Sequence, residues 1–271
     1  MSTSHIHGSI GLILVISLAA AVHADPIVLT IGDSTVAAQN INGAARGWGQ
    51  ILPSRFVAPG AGGPGFINQA ANGASSKSFY DLPDPTSRWE TALTSGANYV
   101  MIQFGTNDVQ VSKPELYTNP ATTYRDYLRL YVNEARAAGM NPILVTPVTQ
   151  RYYKANGEID NKLRPYALGM IAVADELAVP LIDLNALSEA LYNQLGKTQT
   201  EALFVVKTDG SIDTTHFNTF GVEKIVDLIV QVLPVASPTL GNYLLVPEPA
   251  SASTVVLLLV GALLRRKRDP A

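Results

Sequence analysis

Four histidines occur in this 271-residue chain: His5, His7, His23 and His216. The first three fall in a segment with its own explanation. Ile10–Val22 is an apolar run of the length of a secretory h-region, and Val22-His23-Ala24 offers small residues for signal-peptidase cleavage. With residues 1–24 read as a signal peptide, His216 is the one imidazole left to the exported chain. A free imidazole has a pKa of about 6.5, which suits proton transfer near neutrality. Asp213 stands three residues earlier, where its carboxylate can orient the ring and stabilise the imidazolium.

Such a base implies a nucleophile, and Ser34 is the candidate. It follows the charge-free run Ile27–Ile31 within Gly32-Asp33-Ser34-Thr35, residues that favour turns and helix caps. A serine hydroxyl reacts only when a neighbouring base takes its proton. Acyl transfer further requires donors aimed at an oxyanion. Gly73 allows close backbone approach, Asn107 carries an amide donor, and Ser34 has its own N–H. Taken singly, each residue also suits a structural role. Ser34 suits a cap, Asp213-x-x-His216 a cap beside an exposed histidine, and Gly73 and Asn107 turns.

The elements that must position these groups alternate along the chain. Strands are expected at Pro26–Ile31, Gly65–Ala70, Tyr99–Phe104, Pro142–Val148 and Val179–Leu184. Helices are expected from Gly47 to Val57 and at Ser87–Thr94, Thr122–Ala138, Lys162–Leu177, Ala186–Leu195 and Asn218–Leu233. Residues 197–212 read as irregular, with Gly196 as a helix stop. This alternation predicts one α/β domain with a mainly parallel sheet of about five strands, covered on both faces. The first three strands end in Gly-Asp-Ser, Asn-Gly-Ala and Gly-Thr-Asn-Asp, so polar groups collect along one sheet edge, where α/β proteins bind ligands.

Composition narrows the function. A formal charge of −3 leaves no electrostatic footprint for nucleic acid. The absence of cysteine removes disulfides, thiolate nucleophiles and cysteine-based zinc sites. Asp33 and Asp108 are two scattered carboxylates without metal-ligand spacing, so no metal or cofactor is expected. Gly73-Ala74-Ser75-Ser76-Lys77 lacks the second glycine of a Gly-x-Ser-x-Gly elbow, which sets Ser75 and Ser76 aside as nucleophiles.

At the far end, residues 236–249 read as a breaker-rich linker. Pro247-Glu248-Pro249, the apolar stretch Ser251–Leu264 and Arg265-Arg266-Lys267-Arg268 follow. The apolar stretch is shorter than the roughly 18–20 residues that span a bilayer comfortably. These features resemble a PEP-CTERM sorting tail over 247–271, with a plain membrane anchor as the alternative. Either places the domain outside the cytoplasm at the cell surface, with transient membrane association through a sorting tail or retention by an anchor; a monomer is expected.

Gly32-Asp33-Ser34, Gly73, Gly105-x-Asn107-Asp108 and Asp213-x-x-His216 resemble the four blocks of the SGNH (GDSL) hydrolases. The resemblance implies a three-layer α/β/α flavodoxin-like sandwich over 25–235. It also implies Ser34 as nucleophile, His216 as base and later acid, and Asp213 as orienter. Ser34, Gly73 and Asn107 would form the oxyanion hole. Within that superfamily, Gly47-Trp48-Gly49-Gln50, Asn68–Phe79 and Thr146–Arg151 resemble rhamnogalacturonan acetylesterases. Those enzymes often carry arginine where this chain has Ala74 and histidine where it has Thr106. Both positions are expected to border the site. The expected function is deacetylation of polysaccharide, with a lipid-directed esterase or a non-catalytic glycan binder as alternatives. Trp48, Tyr152 and Tyr153 are candidates for stacking on sugar rings, and Arg151, Lys154 and Lys77 for meeting uronate carboxylates.

Overall fold

The computed structural model describes residues 25–245, except 82 and 85 and the side chains of 83–87. The signal-peptide and sorting-tail expectations, at 1–24 and 247–271, lie outside the described residues. The strands are β1 (Ile27–Gly32), β2 (Gly65–Asn68), β3 (Pro83–Asp84), β4 (Thr86–Ser87), β5 (Tyr99–Gln103), β6 (Asn141–Val145), β7 (Leu181–Ile182), β8 (Phe204–Val206) and β9 (Ile212–Phe217). Five form one sheet in the order β2-β1-β5-β6-β7, with every neighbouring pair parallel. That is the doubly wound order in which the chain reverses direction across the sheet between β1 and β5.

Strand alternation explains the layering. Val28, Met101, Ile143, Val145 and Ile182 belong to one buried cluster, while Leu29, Ile31, Val100, Ile102 and Leu144 belong to another. The first cluster packs on Trp48 of α1 (Trp48–Ile51) and on Val222, Ile225 and Ile229 of α7 (Thr219–Ala236). The second takes Phe79 from α2 (Ser76–Asp81), Trp89 from α3 (Arg88–Leu93), Tyr131 from α4 (Thr123–Ala137) and Met170 from α5 (Arg164–Leu177). Apolar side chains on both faces make the strands uniformly hydrophobic, as buried parallel strands are. The three-layer α/β/α architecture follows.

Besides the short β3–β4 pair, which is not among the expected strands, the chain departs from expectation in three places. Residues 197–212 are largely ordered: α6 (Leu184–Glu201) runs through them, followed by β8 and the start of β9. Gly196 does break the helical backbone, at φ 71° and ψ 173°, but the chain re-enters a helix, where the Thr200 hydroxyl donates to the Tyr192 carbonyl at 3.1 Å. β9 forms because Ile212, Thr214, Thr215 and Phe217 are β-branched or aromatic, and Ile212 and Phe217 pair antiparallel with Val206 and Phe204 of β8. Asp213 and His216 therefore stand on a strand.

The second departure is α2, which the sequence pattern does not announce. Its N-terminus is capped from a distant loop, by Asp108 accepting from the Ser76 N–H at 3.1 Å. The third is the expected linker. Pro238–Gly241 is helical, Leu240 is fully buried, and Leu245 N–H donates to the Arg55 carbonyl at 2.8 Å. The packed domain thus continues past 235 to residue 245.

Candidate active site

β1 carries Ser34 to the sheet edge through a turn that only glycine can begin. A Cβ on Gly32 would lie 2.5 Å from the backbone oxygen of Gln103 on the adjacent strand. Past the turn, Asp33 Oδ1 accepts from Thr35 N–H at 2.8 Å and from its hydroxyl at 2.7 Å. Gln103 donates to the same Thr35 hydroxyl at 2.6 Å and accepts from the Trp48 indole at 2.9 Å. This buried chain of hydrogen bonds ties the Ser34 turn to the neighbouring strand.

Ser34 Oγ lies 3.0 Å from His216 Nε2, across 182 residues of sequence. His216 Nδ1 lies 3.1 Å from Asp213 Oδ2. The other carboxylate oxygen accepts from the backbone N–H groups of Thr215 and His216, at 2.7 and 3.0 Å. Burial alone would raise the Asp213 pKa. The N–H groups of His216 and Thr215, with the His216 ring, outweigh burial and hold the carboxyl below the ordinary aspartate value. An ionised Asp213 fixes the ring's Nδ1 as the protonated nitrogen and leaves Nε2 free to accept from Ser34. The Lys207 ammonium lies 3.8 Å from Asp213 Oδ2 on its solvent side.

The cleft in front of Ser34 has a volume of about 400 Å³ and is lined by Ser34, Gln39, Ala45, Asn72, Gly73, Asn107 and His216. Gly73 adopts φ +76°, a left-handed conformation, and a Cβ there would point into open space. The Asn107 amide is held in one orientation: its Nδ2 donates to the Ala74 carbonyl and its Oδ1 accepts from Gln110, both at 2.9 Å. One amide N–H of Asn107 remains for the cleft.

Asp108 works behind this wall. It is fully buried and accepts from Ser76 N–H, the Ser76 hydroxyl, Gly105 N–H (2.9 Å) and the Thr118 hydroxyl (2.8 Å). Burial dominates and lifts its carboxyl to about 6, against the hydrogen bonds from Ser76 and Thr118 that pull it down. The folded protein then holds this proton more tightly than the unfolded chain does between roughly pH 4 and 6. The contribution of Asp108 to stability is full below that window and declines as the pH rises through it. Asp108→Asn is expected to abolish that decline. Its amide would also confront N–H and O–H donors, lowering stability by about 2–3 kcal/mol, read as a reduced urea midpoint with an unchanged m value.

Several expected ligand-binding residues have other roles. Trp48 is completely buried, so it packs in the core and cannot stack on a sugar. Arg151 pairs with Glu201 at 3.0 Å and donates to the backbone carbonyls of Ile212 at 2.8 Å and Asp213 at 3.3 Å. Three of its five N–H donors thus go to Glu201 and to the strand that bears Asp213 and His216, and the side chain is only 10% exposed, which argues against a uronate role. Lys77 donates to the Pro114 carbonyl at 2.9 Å, and Lys154 pairs with Glu158 at 3.5 Å. The Tyr153 hydroxyl donates to the Lys197 carbonyl at 3.4 Å. Tyr152 is 39% exposed, and its hydroxyl accepts from Thr214 at 3.4 Å, on the same strand as His216. Ala74 and Thr106 are buried and do not line the cleft. Gln39 and Asn72 do line it; Asn72 stands in the Asn-Gly-Ala strand end expected from the sequence, whereas only proximity to Ser34 could have pointed to Gln39.

A doubly wound α/β sandwich with a hydroxyl, an imidazole and a carboxylate in line at its strand ends has the layout of a hydrolase that works through serine. The family comparison narrows that class. A model of the GDSL-like lipase/acylhydrolase family matches residues 28–229, and the chain belongs to this family. It is a carboxylic ester hydrolase. The chain is 35% identical over 213 residues to the rhamnogalacturonan acetylesterase RhgT of Bacillus subtilis, covering 75% of this chain and 88% of the relative. It is 34% identical over 202 residues to the probable rhamnogalacturonan acetylesterase YesY of the same organism, covering 74% and 88%. The crystal structure of Bacillus subtilis YxiM superposes with a TM-score of 0.64 at 28% identity, over 78% of this chain and 56% of that one.

Proposed function

We propose that this esterase removes O-acetyl groups from polysaccharide, with Ser34 as nucleophile, His216 as general base and then acid, and Asp213 as orienter. Ser34 N–H, Gly73 N–H and the Asn107 amide receive the oxyanion. The observation that carries this reading is the line from Ser34 Oγ to His216 Nε2 (3.0 Å) and from His216 Nδ1 to Asp213 (3.1 Å), at the wall of a cleft that also presents Gly73 and Asn107. Attack of Oγ on the ester carbonyl passes its proton to Nε2, and the imidazolium then returns a proton to the departing sugar oxygen. Water repeats the sequence on the acyl-enzyme and releases acetate. The names of the two Bacillus relatives support a pectic backbone as substrate. The sequence features at both ends support delivery to the cell surface, which fractionation of the producing cells checks.

Among the described residues that line the cleft, Ala45 alone carries an apolar side chain and the rest are small or polar, which supports a short acyl group over a fatty one. Among p-nitrophenyl esters, acetate is expected to exceed octanoate in kcat/KM by about tenfold or more, because each unaccommodated methylene forfeits burial. Acetate release from acetylated rhamnogalacturonan, set beside acetylated xylan, tests the glycan. No release from either, with p-nitrophenyl acetate still hydrolysed, discards polysaccharide as substrate.

Arg151 gives a further test, since it acts through the backbone of residues 212 and 213 and not on substrate. Arg151→Met is expected to lower kcat about tenfold with KM little changed, because a small displacement of the base is costly. Arg151→Lys, which retains the charge opposite Glu201, should recover part of the loss. A rise in KM alone would instead assign Arg151 to substrate binding.

A further inference from the structure

We propose that Asn72, clamped by Gln39, reads the alcohol half of the ester by hydrogen-bonding a hydroxyl next to the acylated oxygen, so that the preferred substrates are acylated sugars with a free neighbouring hydroxyl. This rests on the assignment of Ser34 as nucleophile.

The clamp is reciprocal. Gln39 Nε2 donates to Asn72 Oδ1 at 2.7 Å, and Asn72 Nδ2 donates back to Gln39 Oε1 at 3.2 Å. The same Gln39 Nε2 donates to the Ser34 carbonyl at 3.0 Å. Gln39 is itself held by Gln50, whose Oε1 accepts from Gln39 N–H at 3.1 Å and whose Nε2 donates to the Gln39 carbonyl at 3.2 Å. Gln39 has therefore committed both amide hydrogens, whereas Asn72 keeps one N–H and a carbonyl lone pair. Those free valences belong to a residue that is exposed and lines the cleft.

A fixed carboxamide with one donor and one acceptor to offer matches an alcohol hydroxyl, which both donates and accepts. It is neutral, so it has no charge with which to select a carboxylate. Asn72 directly precedes Gly73, and adjacent Cα atoms lie about 3.8 Å apart, so the group it meets is a near neighbour of the reacting ester. A polar site of this kind discriminates strongly against a substrate lacking its partner, because the protein group is left unpaired. Gln39 contributes by position: it links the Asn72 amide to the Ser34 turn and holds the two in register.

The test compares a monoacetylated methyl pyranoside with a free vicinal hydroxyl against its vicinal O-methyl analogue, with p-nitrophenyl acetate reporting on the reaction centre. Wild-type protein is expected to prefer the free-hydroxyl sugar by about tenfold in kcat/KM, an exposed site retaining part of the full discrimination. Asn72→Ala, at an exposed position, should bring that ratio to within about twofold of unity. Gln39→Ala should reduce the ratio in the same direction. An unchanged ratio in Asn72→Ala, equal loss on all three esters, or a wild-type ratio near unity each overturns the proposal. Failure of the underlying assignment looks different: Ser34→Ala would still hydrolyse p-nitrophenyl acetate at the wild-type rate.

Discussion

Ser34→Ala is expected to lower kcat for ester hydrolysis by roughly 10⁴–10⁶-fold, while His216→Ala and the double substitution cost about the same as either alone. The reason lies in the geometry. In the proposed mechanism Ser34 Oγ and His216 Nε2, 3.0 Å apart, act as one proton-transfer unit, and removing either member would leave the other without a function. The remaining rate over water would come from binding and the oxyanion donors, which neither substitution touches. Substrate affinity should hold in Ser34→Ala, because a methyl group replaces the hydroxyl without adding bulk. The measurement is a two-by-two cycle of kcat values on p-nitrophenyl acetate. Independent, additive losses would separate the two residues and discard the shared mechanism; retained activity in Ser34→Ala would discard the nucleophile.

Asn107→Ala carries the second largest expected effect, a fall of about 10²–10³ in kcat with little change in KM. A neutral carbonyl makes modest use of the amide, whereas the tetrahedral intermediate places a full negative charge opposite it. The donor therefore acts mainly in the transition state. Its value depends on being fixed beforehand, and both ends of the amide are held, by the Ala74 carbonyl and by Gln110. Gln110→Ala should consequently produce a smaller loss of the same character, since it frees the amide to rotate. Asn107→Asp should be worse than alanine, because a carboxylate would face the developing oxyanion. A change in KM alone for Asn107→Ala would place this residue in ground-state binding and remove it from the hole.

The sequence by itself determined the sheet and the edge along which the polar groups gather. Charge-free, mostly apolar runs such as Val28–Ile31 and Val100–Ile102 are buried on both faces, and that is a local property of composition and period. With residues 1–24 read as a signal peptide, the sequence also left His216 as the one candidate base, a step that needs no coordinates. Local pattern failed where partners are remote. The cap of α2 comes from Asp108, 32 residues away. The strand bearing Asp213 and His216 is completed by pairing with β8, and a two-sided antiparallel ribbon has no long apolar signature.

Side-chain roles were decided by tertiary structure alone. Trp48 has the type of a sugar platform, but it is buried with its indole N–H satisfied by Gln103, 55 positions on. Arg151 has the type of a uronate ligand, but Glu201 and carbonyls 61 and 62 residues downstream take three of its five N–H donors, and its side chain is only 10% exposed. Conversely, Gln39 and Asn72 look like ordinary polar loop residues until the fold brings them together across 33 residues at the mouth of the cleft. Residue type sets which hydrogen bonds a side chain can make. Which of them remain free for a substrate depends on what the folded chain has already used.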